Sequence, residues 1–288
     1  MADQNGLHLP PCSFWVEYRQ RAEPFNMPLN HYHNSYEIYY LVSGERYYFI
    51  KEKTYHVIKG DFVLINYSEL HKTSAVPGAS SHERILIQFS PEHLEVLNNL
   101  IGSVDLLACF HSDINVIRLD FKERSELERL LFRIVDEFQK MNTDSLLYQN
   151  VLLVELLILL NRQVIKAPII NPGVNDPSYE KIYPIVRYIN EHYMEDVTLS
   201  SLSQRFYISI FHLSRTFKKV TGFSLVEYLN NVRTREAQNL LRNTKLNVTQ
   251  ITEQVGFGSL THFERVFKGL TGLSPLKYRQ AVLKKNGQ

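Results

Sequence analysis

The hydrophobic rhythm of the chain changes once, near residue 122. Between residues 14 and 121, short runs rich in Tyr, Val, Ile and Phe (EIYYLV at 37–42, RYYFI at 46–50, DFVLI at 61–65, RILIQF at 84–89) are separated by Ser43-Gly44, Lys59-Gly60 and Pro77-Gly78. Aromatic and β-branched runs of this length, cut by turn residues, predict strands. Many such strands in succession predict a small antiparallel barrel or sandwich. From about 122 the period lengthens, and Leu127, Leu130, Leu131, Ile134, Val135 and Phe138 fall on one face of a helix. A second helix over 145–165 carries Leu146, Leu147, Leu153, Leu156, Leu157 and Leu160 around most of its circumference, so more than one neighbour must cover it. Its densest run, VLLVELLILL at 151–160, is too short to cross a bilayer and contains Glu155, which predicts a buried helix. Two covers stay open: a second copy of the chain, which makes this pair the candidate dimer contact, or packing of the helical pair on its own barrel alone. The segment KAPIINPGVNDPS at 166–178, with three prolines, reads as a linker, and everything after it reads as helix.

The helical half contains a repeat. RTFKKVTGFSLVEY at 215–228 returns as RVFKGLTGLSPLKY at 265–278, so that Arg215, Phe217, Lys218, Thr221, Gly222, Ser224 and Tyr228 recur fifty residues later; His212 and His262 keep the same offset. A repeat of this kind is one supersecondary unit used twice. In each copy a short helix (199–205, 248–255) meets a turn, at Phe206-Tyr207-Ile208 or Gly256-Phe257-Gly258. A second helix follows (210–221, 259–271) and stops at Gly222 or Gly272, which suit C-terminal caps. Ser224 and Ser274 suit N-caps, with Pro275 at the first position of the last helix. The tight turn predicts positive φ at Gly256 and, by the fifty-residue offset, at Phe206. This is the layout of a helix-turn-helix, whose second helix fits the major groove. Arg215 and Arg265 lie there, where arginine pairs bidentately with guanine. Lys218, Lys219 and Lys268 lie further along, where phosphate contacts position a protein without reading sequence. Phe217 and Phe267 are expected to be core.

On these residues the stretch 179–283 resembles the DNA-binding domain of the AraC/XylS family of transcription regulators. The match is tightest from Gly256 through Phe267, Gly272, Ser274 and Pro275 to Tyr278. The resemblance implies base-contacting positions at Phe211, His212, Ser214 and Arg215 in the first unit, and at Leu260, Thr261 and Arg265 in the second. Phe211 departs from the small polar residues common there, and apolar Leu260 suits a thymine methyl. The resemblance also implies double-stranded DNA as partner, a homodimer, and RNA polymerase contact if the chain is an activator, which is the habit of the family.

Charge agrees with that division. The net charge of +2 hides 16 Lys and Arg against 8 Asp and Glu in 179–288, and 16 against 22 in 1–178. A basic half joined to an acidic half suggests a polyanion-binding module attached to something else. Two cysteines, Cys12 and Cys109, are too few for a disulfide framework. With no apolar N-terminal stretch after a basic start, the expected location is the cytoplasm, with no membrane association.

The N-terminal half holds its own candidate chemistry. HYHNSYE at 31–37 puts His31 and His33 on one strand face, Glu37 follows, and His71 comes from GDFVLINYSELHKT at 60–73. Together with Gly44 and Gly60, these residues resemble the two motifs of cupin barrels. Phe25 stands where the first motif opens with Gly, Asn66 and Ser68 replace Pro and Gly of the second, and Ala75 replaces Asn. Three readings stay open. His31, His33, Glu37 and His71 form a divalent metal site; or they are polar partners in a small-molecule pocket; or they are structural histidines at strand ends. For the pocket, Trp15, Tyr18, Arg19, Tyr32, Tyr39 and Tyr47 supply the aromatic faces and hydroxyls that suit a sugar. In AraC-like proteins a cupin-like N-terminal domain senses an effector and dimerises, which favours the pocket by analogy.

The expected architecture is therefore multidomain α+β. A cupin-like effector-binding barrel (1–121), a helical dimerisation pair (122–165) and a linker (166–178) precede an all-α double helix-turn-helix domain (179–288). The expected function is sequence-specific transcription regulation, as an activator, controlled by a sugar or sugar derivative, with no catalysis and no required cofactor. The alternative is a metal-binding cupin, enzyme or metal sensor, fused to a DNA-binding domain.

Overall fold

The computed structural model describes residues 13–23, 25, 35–67, 69–79, 81–91, 93–94, 104–140, 144–166 and 177–285. Contacts divide the chain into two units, Met1–Val174 and Asn175–Gln288.

The first unit pairs strands β1 (Phe14–Arg21), β2 (Tyr36–Ser43), β5 (Phe62–Ile65), β7 (His82–Phe89) and β8 (Val116–Ile117) in one antiparallel sheet of order β1-β7-β2-β5-β8. Strands β3 (Glu45–Ile50), β4 (Lys53–Ile58) and β6 (His71–Ala75) form a second sheet of order β4-β3-β6. Strand β2 is buried from Tyr36 to Leu41, because both of its faces are covered. Ile38 and Tyr40 pack with Ile85, Ile87 and Phe62 beneath the helices α2 (Phe121–Lys140) and α3 (Ser145–Lys166). Tyr39 and Leu41, on the alternate face, meet Tyr48, Ile50, Tyr55 and Val57 of the second sheet. This two-sheet barrel is the expected cupin-like fold.

The chain crosses between sheets at Gly44. Its φ is +88°, and a Cβ there would stand 2.5 Å from the Ser81 carbonyl oxygen. Only glycine permits that approach without a shift, and it delivers Arg46, two residues on, to the barrel interior. On the far edge, Arg118 donates to both oxygens of fully buried Asp61 (2.8 and 2.6 Å), and Asp61 accepts from the Ile58 amide (2.9 Å), which locks β8 against the turn before β5.

In α3 five leucines (152, 153, 156, 157 and 160) are fully buried in the barrel core. By length and composition α3 is the one helix among the described residues apolar enough to span a membrane, and the buried leucines account for part of that apolarity. The opposite side exposes Leu146, Leu147 and Val151. A short helix α1 (Ala108–His111) is pinned to α3 by Asn161, whose Oδ1 accepts from the Cys109 amide at 2.7 Å. Cys109 is a buried free thiol.

The second unit is helical throughout its described residues: α4 (Pro177–Glu191), α5 (Leu199–Phe206), α6 (Ile210–Thr221), α7 (Leu225–Asn243), α8 (Val248–Gln254), α9 (Leu260–Thr271) and α10 (Pro275–Lys285). Starts are set by side chains that accept orphan amide protons: Thr198 with Ser201, Ser224 with Glu227, and Asn247 with Gln250 form reciprocal capping boxes. Helices α6 and α9 end at Gly222 and Gly272, with φ of +77° and +76°.

Candidate functional site

The two reading helices are the same object built twice. Ser209 Oγ accepts the His212 amide proton at 3.4 Å, and Ser259 Oγ accepts that of His262 at 3.4 Å. Each helix buries a matching pair of large side chains, Leu213 and Phe217 in α6, Phe263 and Phe267 in α9, and α6 also buries Thr216, Val220 and Thr221. The second of each pair meets the following helix edge-on, Phe217 with Tyr228 at 5.6 Å and Phe267 with Tyr278 at 5.5 Å. This anchoring decides which face is left for water. Phe211, His212, Ser214, Arg215, Lys218 and Lys219 are all exposed on α6; Leu260, Thr261, Arg265 and Lys268 are all exposed on α9.

The arginines of this unit fall into two sorts. Arg233 donates to the Tyr193 and Glu195 carbonyls (2.7 and 2.8 Å), Arg279 to the Leu241 and Leu246 carbonyls (3.3 and 2.5 Å), and Arg242 to the Tyr278 hydroxyl (2.7 Å). These close loops and join helices. Arg215 and Arg265 make no such bond or ion pair among the described residues. An exposed, untied guanidinium on the outer face of a reading helix keeps its donors for a base edge or phosphate.

The turns differ. Positive φ falls at Gly256 (+82°) in the second unit and at Tyr207 (+54°) in the first. The expectation for Phe206 is thereby corrected: Gly258 is an extra residue in the second turn, so the fifty-residue offset holds only from Ser209 onward.

The barrel interior has a polar wall. Strand register puts Trp15, Glu17, Arg19 and Arg21 of β1, Glu37 and Tyr39 of β2, and Arg84 and Gln88 of β7 on one face of the larger sheet. Arg46, Tyr48 and His71 line the inner face of the smaller one. At one end buried Glu37 accepts from Gln88 (2.8 Å) and Tyr48 (3.3 Å), and its carboxylate stands 3.9 Å from His71 Nε2. His71 Nδ1 lies 2.8 Å from the Glu69 carbonyl, which can only accept, so Nδ1 carries a proton. At the other end arginines gather. Arg84 and Arg19 share the Glu17 carboxylate. Arg21 lies 3.6 Å over the Phe25 ring, and Arg46 lies 6.0 Å from the same ring. Burial, then Arg46, Arg84 and Arg21, hold His82 down to about 4, so it is neutral at pH 7. Tyr39 lies between the two ends, and burial pushes its hydroxyl up to about 12, so it stays a donor.

The sequence comparisons agree with both halves. A helix-turn-helix family model matches residues 202–281, and the AraC-like ligand-binding domain model matches 16–154. In the solved C-terminal domain of AraT, a response regulator from Geobacillus stearothermophilus, identity is 32%, with 35% of this chain and 84% of that one covered at a TM-score of 0.34. The chain belongs to the AraC family. It is a DNA-binding transcription regulator with a ligand-binding domain. Among curated AraC-type relatives, the HTH-type transcriptional activator RhaR of Mannheimia succiniciproducens is 23% identical over 94% of this chain and 92% of its own length. The uncharacterised regulator YisR of Bacillus subtilis is 26% identical over 57% of this chain; the alignment spans 54% of its length.

Within this AraC-family chain, the structure unites some of the expected effector residues and separates others. Glu37, Tyr39 and His71 come together, and Trp15 and Arg19 share their face. Tyr18 does not: strand alternation turns it to the helix side, against Phe132, with its hydroxyl on Glu83. Tyr47 lies on the outer face of the smaller sheet, beside His56. His31, His33 and Tyr32 lie outside the described residues. Among the described residues no group of three or more His, Cys, Asp or Glu gathers as metal ligands, and both Glu37 oxygens already accept hydrogen bonds. The sequence reading missed Arg21, Arg46, Arg84 and His82. A signal existed: Arg46 alternates with inward Tyr48 and Ile50, two residues after a glycine that must turn the chain.

Proposed function

We propose that this AraC-family protein reads an operator through both reading helices and acts in the cytoplasm as an activator gated by a small molecule in the barrel. The observation that carries the DNA reading is the pair of untied arginines, Arg215 and Arg265, on capped helices whose exposed positions coincide at the fifty-residue offset. Base-edge contacts fall to Phe211, His212, Ser214 and Arg215 in one unit and to Leu260, Thr261 and Arg265 in the other. Phe211 is 79% exposed and Leu260 39%, so both offer apolar surface to thymine methyls. Lys218, Lys219 and Lys268 take phosphates. Selection of bound sites from a random duplex library tests this directly: two separated blocks of preferred bases are expected, and no enriched sequence would overturn the reading.

The effector is a sugar or sugar derivative held between Glu37 and the arginine end, with Tyr39, His71, Trp15 and Arg19 on its walls. An activator requires that the effector bind one barrel state better than another, and activation implies contact with RNA polymerase. That RhaR is named an activator supports the direction of control. Dimerisation falls to the exposed stripe of α3, where Leu147 and Val151 are four residues apart on one helix face. Sedimentation of a Leu147→Arg variant should show a monomer; an unchanged dimer would move the interface elsewhere.

A further inference from the structure

We infer that the effector carries an oxyanion, a carboxylate or a phosphate, bound by Arg46 with Arg21 and Arg84 beside it. The inference rests on the effector reading above and narrows its chemistry.

Arg46 is 1% exposed. Its Nε donates to Thr73 Oγ1 at 3.1 Å, and its Nη2 has no hydrogen-bond partner. Among the described residues no carboxylate pairs with it. Burying a cation is costly unless a counter-charge or a full set of acceptors offsets the loss of water. Arg46 has one neutral hydroxyl and a distant aromatic ring.

Its neighbours add donors and positive charge. Arg21 Nε and Arg84 Nη1 are also buried without partners, as is the Tyr39 hydroxyl. Three guanidinium groups and a phenol, each with an unspent donor, stand close enough to act on one another, and the two nearby carboxylates are already engaged, Glu17 by Arg19 and Arg84 and Glu37 by Gln88 and Tyr48. Burial first, and then Arg46, Arg84 and Arg21, depress His82, so the three arginines add positive charge at the same place. A neutral sugar hydroxyl can accept from these donors but leaves the charge unbalanced. An oxyanion supplies several lone pairs and the missing negative charge, and a guanidinium fork matches carboxylate and phosphate geometry. Glu37, His71 and Gln88 at the opposite end remain for the uncharged part of the molecule.

The test uses the full chain. Its single tryptophan, Trp15, lies on barrel strand β1 with its ring against Phe138; binding is read by calorimetry, with tryptophan fluorescence alongside. Three matched pairs are titrated: galacturonate with galactose, glucose 6-phosphate with glucose, and octanoate with octanamide. At least one anion should bind ten-fold or more tightly than its neutral partner, and the pair that responds separates sugar acid, sugar phosphate and apolar acid. Arg46→Gln should erase that preference and Arg46→Lys retain part of it. If Arg46→Gln does not fold, Arg21→Gln should lower anion affinity several-fold while sparing any neutral ligand. A neutral compound bound as tightly as its anion, with Arg46→Gln unchanged, overturns the oxyanion and leaves the effector reading standing. Binding of none of the six overturns both.

Discussion

Fifty residues separate every anchor of the two reading helices, from the serine N-cap to the buried tyrosine, but only forty-nine separate the residues that turn the chain into them. After Ser209 and Ser259 the units obey one design, because capping, two buried side chains and an aromatic edge contact must all coincide for a helix to present the right face. Before those serines they differ. In the second unit Gly256 sits where a Cβ would meet the Met194 carbonyl oxygen at 2.5 Å. In the first, Tyr207 occupies the left-handed conformation with its side chain 96% exposed. The lesson is that close backbone packing makes the glycine obligatory in one turn, while in the other the same backbone angle is tolerated at a modest energetic cost, because the side chain points into water.

The sharpest way to break this comparison is Gly256→Ala. Unfavourable φ and steric overlap together should destabilise the second unit by roughly 3 kcal/mol, read by denaturant unfolding followed through helical circular dichroism. A loss below about 1 kcal/mol would mean the turn can shift away from Met194. Next in size are the readers. Arg265→Ala and Arg215→Ala should each weaken operator binding by about 1–3 kcal/mol and relax one base position, in different blocks. Were Arg215→Ala to leave the selected sites unchanged, only the second unit would be reading guanine. Tyr207→Gly runs the other way and should stabilise by about 1 kcal/mol by removing left-handed strain; a destabilised variant would show that the exposed ring has a structural role. Smallest are Lys218→Ala and Lys268→Ala, each expected to weaken all DNA sequences alike and to reduce the slope of log affinity against log salt by about one. Sequence-selective losses with unchanged slopes would reassign these lysines to base contact.

Much of this was legible before any coordinates. A 3.6-residue period fixes which side of α6 and α9 is wet once Phe217 and Phe267 are recognised as core, so every expected DNA contact came out exposed. Strand alternation carried Glu37 and Tyr39 to one face for the same reason. What the sequence hid depended on pairing and packing. The inserted Gly258 is visible only when the cap of α8, Asn247, is set against Thr198, and without it the left-handed residue is placed one position early. Tyr18 and Tyr47 look like pocket aromatics by composition, yet each lies one residue out of phase with the inner face. Arg46 was passed over because an arginine in a strand ordinarily faces solvent, and its alternation with Tyr48 and Ile50 marks it as inward only once the chain crossing at Gly44 is known.

Helix α7 belongs to both reading units. Its first turns hold Tyr228 against Phe217, while Ala237 and Leu241 near its other end pack with Phe263 and Phe267. With 19 residues it is a rod about 28 Å long, capped at its start and without a glycine or proline along its length. Such a rod acts as a ruler. Inserting five base pairs between the two blocks of an operator would swing one block about half a turn around the duplex, to the face turned away from the protein. Natural operators for this chain should therefore vary in base identity at the weaker positions and hardly at all in the number of base pairs between them.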